Sequence, residues 1–355
     1  MAVNMGKIDY AFSLVKDAIK KEYFPGAQVA VGQKNGILKI ESFGNRCIYP
    51  EKHPMNDDTL FDLASLTKVV ATNTLFMIFM EKGLISVYDK VNYYLPEFKG
   101  NTKDDITIYN LLTHTAGFVP FELLYKLCRN YEEAIHYICS LNLQYKPGTK
   151  CIYSDFSYIL LGYILEKIGG QRLHIMSKKY IFDPLNMKNT VFNPKTQNVA
   201  ATEVDKKSGK PLIGVCHDEN GRFFNGVSGH AGLFSNVSDL CKFSNMLINK
   251  GNGFISNASF LAMTLNHTEN LNENRGYGWC IKGDKNASGG DIISPEAFGH
   301  TGFTGISLWV DIKNDIYTIL LTNRVHPNRD NLNIIRFRRL LNNAVLASVE
   351  DMIYE

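Results

Sequence analysis

Ser65 and Lys68 stand three residues apart in Ser65-Leu66-Thr67-Lys68. On one helix face such a pair lies within about 6 Å. The apolar residues that follow, Val69, Val70 and Leu75, read as a buried helix. A lysine held against an apolar helix tends to lose its proton, and a neutral amine can take the proton of a neighbouring serine. Backbone N–H groups at the start of that helix can help hold an oxyanion. The motif is weak alone, because a chain this long holds about one such match by chance. Ser13-Leu14-Val15-Lys16 matches as well. There Ser13 falls opposite the apolar stripe and Lys16 lies at its edge, within reach of water.

Two further groups give the pair company. Tyr153-Ser154-Asp155 lies between Pro147-Gly148 and a helical run over Ile159 to Ile168. A tyrosine just ahead of a helix start can point its hydroxyl into a cleft, where nearby cations favour proton transfer. Ser154 or Asp155 would also serve as a helix cap. The third group is His300-Thr301-Gly302, followed by Phe303 and Gly305. Small residues beside a strand let a ligand lie close to its backbone. The Phe303 N–H would then pair with that of Ser65 to hold an oxyanion.

Other chemistries are disfavoured. Seven cysteines (47, 128, 139, 151, 216, 241 and 280) form an odd set without a CxxC, which argues against a disulfide framework or a thiolate zinc site. No HExxH occurs among the nine histidines, and no GxxxxGK[ST] phosphate loop is present. Gly226-Val227-Ser228-Gly229-His230 lacks the last glycine of a GxSxG elbow. With 38 basic and 35 acidic residues the net charge is +3, too small and too scattered for a nucleic-acid surface. The most apolar stretch, Val69 to Met80, is interrupted by Thr72, Asn73 and Thr74 and falls short of the roughly 20 residues of a membrane span. No signal-peptide pattern opens the chain, so a cytoplasmic protein is expected.

The elements that must position these groups follow from periodicity. Ile8, Phe12, Val15 and Ile19 mark a helix over about Lys7 to Glu22. Strands over Ala27 to Gly32 and Ile37 to Ser42 flank Lys34-Asn35-Gly36, a hairpin signal. Helices dominate from Ser65 to Lys250, with a long loop region over about 200–232. Strand character returns at Gly276 to Ile281, Phe298 to Thr301, Ile306 to Val310 and Tyr317 to Thr322, before a helix over Asn331 to Ala347. This order implies an α+β fold: a central antiparallel sheet flanked by the terminal helices, with a large helical subdomain inserted. The expected division is 1–64 plus 270–355 for the sheet part and 65–269 for the mainly helical part.

Three ordered motifs at these spacings resemble the serine β-lactamase and penicillin-binding-protein superfamily, in its class C, DD-peptidase and esterase branch. Thr59 to Ala64, Leu111 to Gly117 and Ile181 to Leu185 match in style, and the resemblance runs from about Pro25 to Asn323. It implies acylation of Ser65, with Lys68 as general base and Tyr153 assisting the leaving group and then the deacylating water. His300 would orient Tyr153 and the substrate carboxylate, while Asp155, Thr301, Gly302, Phe303 and His217 would contact substrate. The implied substrates are small esters or D-amino-acid peptides, such as peptidoglycan fragments, and no metal or organic cofactor is implied. Two positions depart from the pattern. Asp155 replaces an asparagine and, when ionised, can only accept hydrogen bonds, which disfavours efficient β-lactam cleavage. His300 replaces the lysine of class C β-lactamases and would be mostly neutral at pH 7. These departures also motivate an alternative, a weakly active or inactive binding scaffold on the same fold. The stretch Val215 to Glu219, with Gly226 to Gly232 after it, looks like a loop of one subgroup of these hydrolases, where His217 with Asp218 and Glu219 would line the rim and contact substrate or form a polar loop that holds itself together. His114 reads as structural, donating to a carbonyl in the turn Thr115 to Gly117.

Overall fold

A computed structural model of the chain describes residues 1–100, 102–283 and 288–350. The N-terminal helix, Met5–Lys20, buries Ile8, Ala11, Phe12, Val15 and Ala18 along one face. Asn4 caps it, its side chain accepting from the Lys7 N–H at 3.2 Å. The chain then enters β1 (Gly26–Gln33) and returns in β2 (Gly36–Cys47), followed by β3 (His53–Pro54). The tight turn works because Gly36 takes φ +133°, which a side chain would resist.

Three short strands, β4 (Phe61–Asp62), β5 (Val191–Phe192) and β6 (Leu233–Ser235), lie within or beside the helical part. The main sheet resumes with β7 (Cys280–Ile281), β8 (Phe298–Gly302), β9 (Ile306–Asp311) and β10 (Ile316–Thr322), and the C-terminal helix spans Asn333–Leu346. The seven strands follow the order β3-β2-β1-β10-β9-β8-β7, antiparallel throughout. Pairing of Val29 with Leu320 joins the two ends of the chain in the sheet centre.

Alternation of side chains in the strands gives the sheet two apolar faces. On one, Val29, Val31, Trp309 and Leu320 pack with Phe12, Val15, Phe337 and Leu341 of the terminal helices. On the other, Ala30, Leu308, Val310 and Ile319 join Leu66, Val69, Phe156, Ile159, Leu240 and Phe243 of the helical part. The α+β architecture therefore matches the expectation, with local differences. The expected strand over Gly276 to Ile281 shrinks to Cys280–Ile281, because Gly276 packs against the helical part: a Cβ there would fall 2.4 Å from the Met263 carbonyl oxygen. Phe61 and Asp62 pair in a separate small sheet, β4-β6-β5, instead of the main one. The helix after Ser65 winds as a π-helix over Lys68–Asn73 before becoming regular over Thr74–Glu81; such turns are frequent at functional sites.

The loop after the helix Asp155–Gly169 lies directly on that helix at Gly229. A Cβ on Gly229 would sit 2.0 Å from the Tyr158 carbonyl oxygen and 2.9 Å from the Gly162 Cα. Gly229→Ala is expected to cost about 2 kcal/mol through this backbone clash. Thermal unfolding reads it directly, and an unchanged Tm would mean that the contact is loose.

Candidate active site

Ser65 sits at the turn between β4 and the buried helix, partly open to solvent. The turn is held by Asp62, whose Oδ1 accepts the Ala64 N–H at 2.8 Å. Ala64 takes φ +46°, a left-handed conformation that costs a non-glycine residue energy and here re-aims the chain just before Ser65. β8 packs against the same turn at Gly302, where a Cβ would meet the Leu63 carbonyl oxygen at 2.5 Å. Thr304 completes the junction by donating to the Asp62 carbonyl oxygen at 2.7 Å. Among the described residues neither the Ser65 N–H nor the Phe303 N–H has an acceptor.

Lys68 is fully buried, and its Nζ donates to Ser65 Oγ at 3.0 Å, Asp155 Oδ1 at 2.7 Å and the His230 carbonyl oxygen at 3.2 Å. The ion pair with Asp155 speaks against the expected neutral lysine. Burial does push the amine down, but the negative charge and hydrogen bond of Asp155 push it up, leaving the pKa above its ordinary value. Asp155 is the first residue of its helix, yet its carboxylate pairs with Lys68 instead of capping. Ser154 does not cap either; its hydroxyl donates to the Val119 carbonyl oxygen at 2.7 Å.

Tyr153 lies beside this pair, with Lys68 Nζ 4.8 Å from its ring centroid. Among the described residues its buried hydroxyl makes no hydrogen bond of good geometry, though the Lys68 and Ser65 side chains lie close enough to lower its pKa. Burial raises the phenol pKa and Lys68 opposes the rise without cancelling it, so Tyr153 rests as a phenol. Two histidines flank the ring, His114 at 4.6 Å and His300 at 5.9 Å between centroids. His114 accepts the Ser154 N–H at Nδ1, 3.1 Å away, and so fixes the Tyr153 loop. This corrects its expected role as a donor to the nearby turn. His300 Nδ1 lies 2.8 Å from the Thr301 carbonyl oxygen, which can only accept. Nδ1 therefore carries the proton and Nε2, buried and unpartnered, presents a lone pair. Burial, then Arg275 and Lys68, hold His300 well below the ordinary histidine range, so it is neutral at pH 7.

All nine residues expected at the site fall in one region: eight line a cleft of about 530 Å³ and Lys68 lies beneath its floor. His217 stacks on Phe303, with centroids 5.6 Å apart, and its N–H donates to Asp62 Oδ2 at 2.6 Å. It thus lines the rim and braces the loop at once. The sequence reading marked Asp218 beside His217 at the rim but not the partners that hold it. Asp218 accepts the Gly221 N–H at 2.7 Å and pairs with His230 Nε2 at 2.8 Å, while His230 Nδ1 lies 2.8 Å from Ser228 Oγ. Burial opposes ionisation of Asp218, but His230 and the Gly221 N–H hold its pKa below the ordinary value. Arg275, Arg324 and Arg338 also line the cleft, and no motif marked them. Ligand atoms of Asp155, Asp218 and His230 lie within 4.8 Å of one another, a grouping able to hold a cation. The Lys68 ammonium, 2.7 Å from Asp155, supplies positive charge there.

At the rim, Glu203 accepts from His217 Nε2 at 3.2 Å and from Arg329 Nε at 2.8 Å, and Arg329 Nη2 also reaches Glu219 at 2.8 Å. The His217 hydrogen bond, then Arg329, lower the Glu203 pKa from 4.5 to about 2 against the effect of burial. A carboxyl depressed by folding stabilises the folded state above its unfolded pKa and loses that stabilisation as pH falls through the folded value. Glu203→Gln should therefore lower Tm near pH 6, with the gap to wild type narrowing below about pH 4.5 and closing near about pH 2. A pH-independent gap would show that packing, not charge, holds the rim.

The sequence matches the family described as Beta-lactamase over residues 12–343. An N-acetylmuramyl-L-alanine amidase of Bacillus subtilis (strain 168) is 33% identical over 347 residues, spanning 85% of this chain and 78% of that protein. An Escherichia coli (strain K12) protein named as a candidate D-alanyl-D-alanine carboxypeptidase is 34% identical over 345 residues, spanning 85% and 79%. Among solved structures, EstCE1, a hydrolase with promiscuous acyltransferase activity, superposes with a TM-score of 0.79 at 20% identity, covering 96% of this chain and 99% of its own. A class C beta-lactamase does so with a TM-score of 0.78 at 20% identity, covering 98% of each. These last two show the same fold. Matched along nearly its whole length, the chain belongs to the Beta-lactamase family.

Proposed function

We propose that this protein is a serine hydrolase that forms an acyl-enzyme on Ser65 and acts on small esters or D-amino-acid peptides. The observation that carries the reading is Ser65 Oγ, 3.0 Å from Lys68 Nζ in a cleft where the Ser65 and Phe303 N–H groups have no acceptor among the described residues. The relatives above 30% identity, one named for a muramyl-alanine amide and one for D-alanyl-D-alanine, support peptide fragments of the cell wall as substrates. The cleft mouth carries the exposed side chains Phe121, Leu332 and Ile335, which suit an apolar acyl or peptide side chain.

Because Lys68 rests as an ammonium, it takes the Ser65 proton only by giving one up. The acceptor at hand is Asp155, 2.7 Å away. Attack of Ser65 Oγ on the substrate carbonyl then leaves Asp155 neutral, Lys68 still charged, and the negative charge on the carbonyl oxygen, facing the two backbone N–H groups. Collapse expels the leaving group, which takes the Tyr153 proton. The phenolate is refilled from Asp155 through Lys68, and water repeats the sequence to release the acid.

Turnover of nitrophenyl butyrate by wild type beside Ser65→Ala tests the reading. Wild-type activity is expected to fall by at least about 10³-fold in the variant. Full activity in Ser65→Ala would end the proposal. The held charge on Lys68 favours the second reading, an inactive scaffold, and an activated ester separates the two. A mass gain at Ser65 supports the enzyme, and no gain supports the scaffold.

Asp155→Asn removes the charge that keeps Lys68 protonated, so burial should lower the amine pKa. Wild type, in which Asp155 takes the proton, is expected to keep a flat kcat/KM from about pH 6 to 8. The variant must use the free Lys68 amine as base, so its kcat/KM should rise about tenfold per pH unit until that amine is deprotonated. A variant profile as flat as that of wild type would show that Asp155 is not the proton acceptor.

A further inference from the structure

Two arginines grip the turn after β8, and neither meets a carboxylate. Arg338, on the C-terminal helix, is only 7% exposed. Its Nη2 donates to the carbonyl oxygens of Gly302 and Ile306, each at 2.7 Å, and its Nε is buried without a partner. Arg324 donates from Nε to the Phe303 carbonyl oxygen at 2.8 Å and from Nη1 to those of Arg329 and Asn331 at 3.0 and 3.1 Å. Burying a guanidinium against carbonyls alone is a costly way to hold a turn, since a neutral amide side chain can donate to the same oxygens without the charge. Burial, then the charge of Arg324, lower the Arg338 pKa to about 9, which leaves it cationic at neutral pH.

The Gly302 carbonyl and the Phe303 N–H are opposite ends of one peptide. That peptide is trans, so its N–H points away from its C=O. The Gly302 oxygen also accepts the Gly305 N–H at 3.1 Å, and together with Arg338 this uses both of its lone pairs. With the oxygen fixed on a cation, the direction of the N–H is fixed too, and electron density drawn toward the oxygen leaves the N–H a stronger donor. The Phe303 N–H has no acceptor among the described residues, and its turn lines the cleft with Ser65.

We infer that Arg338 is a positioning residue that aims and polarises the Phe303 N–H as one donor of the oxyanion hole facing Ser65. The inference rests on the serine-hydrolase reading. Arg338 acts through the peptide, so its influence grows as negative charge develops on the substrate oxygen and is small in the ground state. Loss of a whole oxyanion donor costs about 10²–10³-fold in kcat, and loss of its polarisation should cost about 10–100-fold.

The test compares wild type, Arg338→Ala and Arg338→Gln, using nitrophenyl butyrate turnover and the infrared carbonyl stretch of a cinnamoyl acyl-enzyme formed from an activated ester. Both variants are expected to lower kcat about 10–100-fold with KM within about twofold. The acyl carbonyl stretch should move to higher frequency, because weaker donors polarise it less, and added guanidinium ion should partly restore Arg338→Ala. Arg338→Gln keeps a donor without the charge and serves if Arg338→Ala fails to fold. A folded variant with wild-type kcat and an unshifted stretch would overturn the inference, as would a loss confined to Tm or KM. If wild type itself is not acylated at Ser65, the hydrolase reading falls and takes this inference with it; acylation with an unshifted stretch removes the inference alone.

Discussion

A buried ammonium is the constraint around which the site is organised. Lys68 is out of water, and an ion there is tolerated only when paired and hydrogen-bonded. Its Nζ donates to the Ser65 turn, the start of the helix Asp155–Gly169 and the loop at His230, so one cation ties together three segments far apart in sequence. Asp155 makes this possible at the cost of a simple general base. An asparagine there would satisfy one N–H of the ammonium without stabilising its charge. In the proposed mechanism the acid–base chemistry accordingly belongs to the Lys68–Asp155 pair, with Tyr153 as the phenol beside it.

The loop region over 200–232 gains its order from charges that meet across the cleft. Asp62 accepts from Ala64 on one oxygen and from His217 on the other, binding the Ser65 turn to the rim. Glu203, Arg329 and Glu219 close the network on the outside, and Asp218 with His230 closes it beneath. A long loop held this way can keep polar groups buried because most of them find partners within the loop or on another segment. Phe303, stacked between His217 and the Arg324 guanidinium, joins the rim to the end of β8.

The cleft floor and mouth differ in character. Ser65, Tyr153, Asp155 and the arginines make the floor polar, while Phe121, Leu332 and Ile335 stand exposed at the opening. Such a cleft orients a substrate with a polar reacting group and an apolar body. Arg338 stands behind the β8 turn, bonded to the Gly302 and Ile306 carbonyls, and so places positive charge beside the cleft without presenting a mobile side chain.

Much of this was written locally in the sequence. Asn35-Gly36 set the hairpin, the spacing of Ile8, Phe12 and Val15 set the first helix, the order of helices and strands implied the α+β fold, and Ser65, Lys68, Tyr153 and His300 were marked by short motifs. These signals are legible because they depend on neighbours a few residues away: turn geometry, helical period and strand alternation. The protonation of Lys68 was not legible. Burial and the reach of Asp155 compete there, and only the distance of 2.7 Å shows which prevails. The π-helix after Ser65, the retreat of the strand at Gly276, the acceptor role of His114 and the grip of Arg338 on Gly302 likewise arise from segments that meet only in the folded chain. Electrostatic and packing energies depend on separation in space, which residue spacing along the chain does not encode. The sequence alone determined which groups can react; the tertiary structure decided their charge, their partners and the direction in which they point.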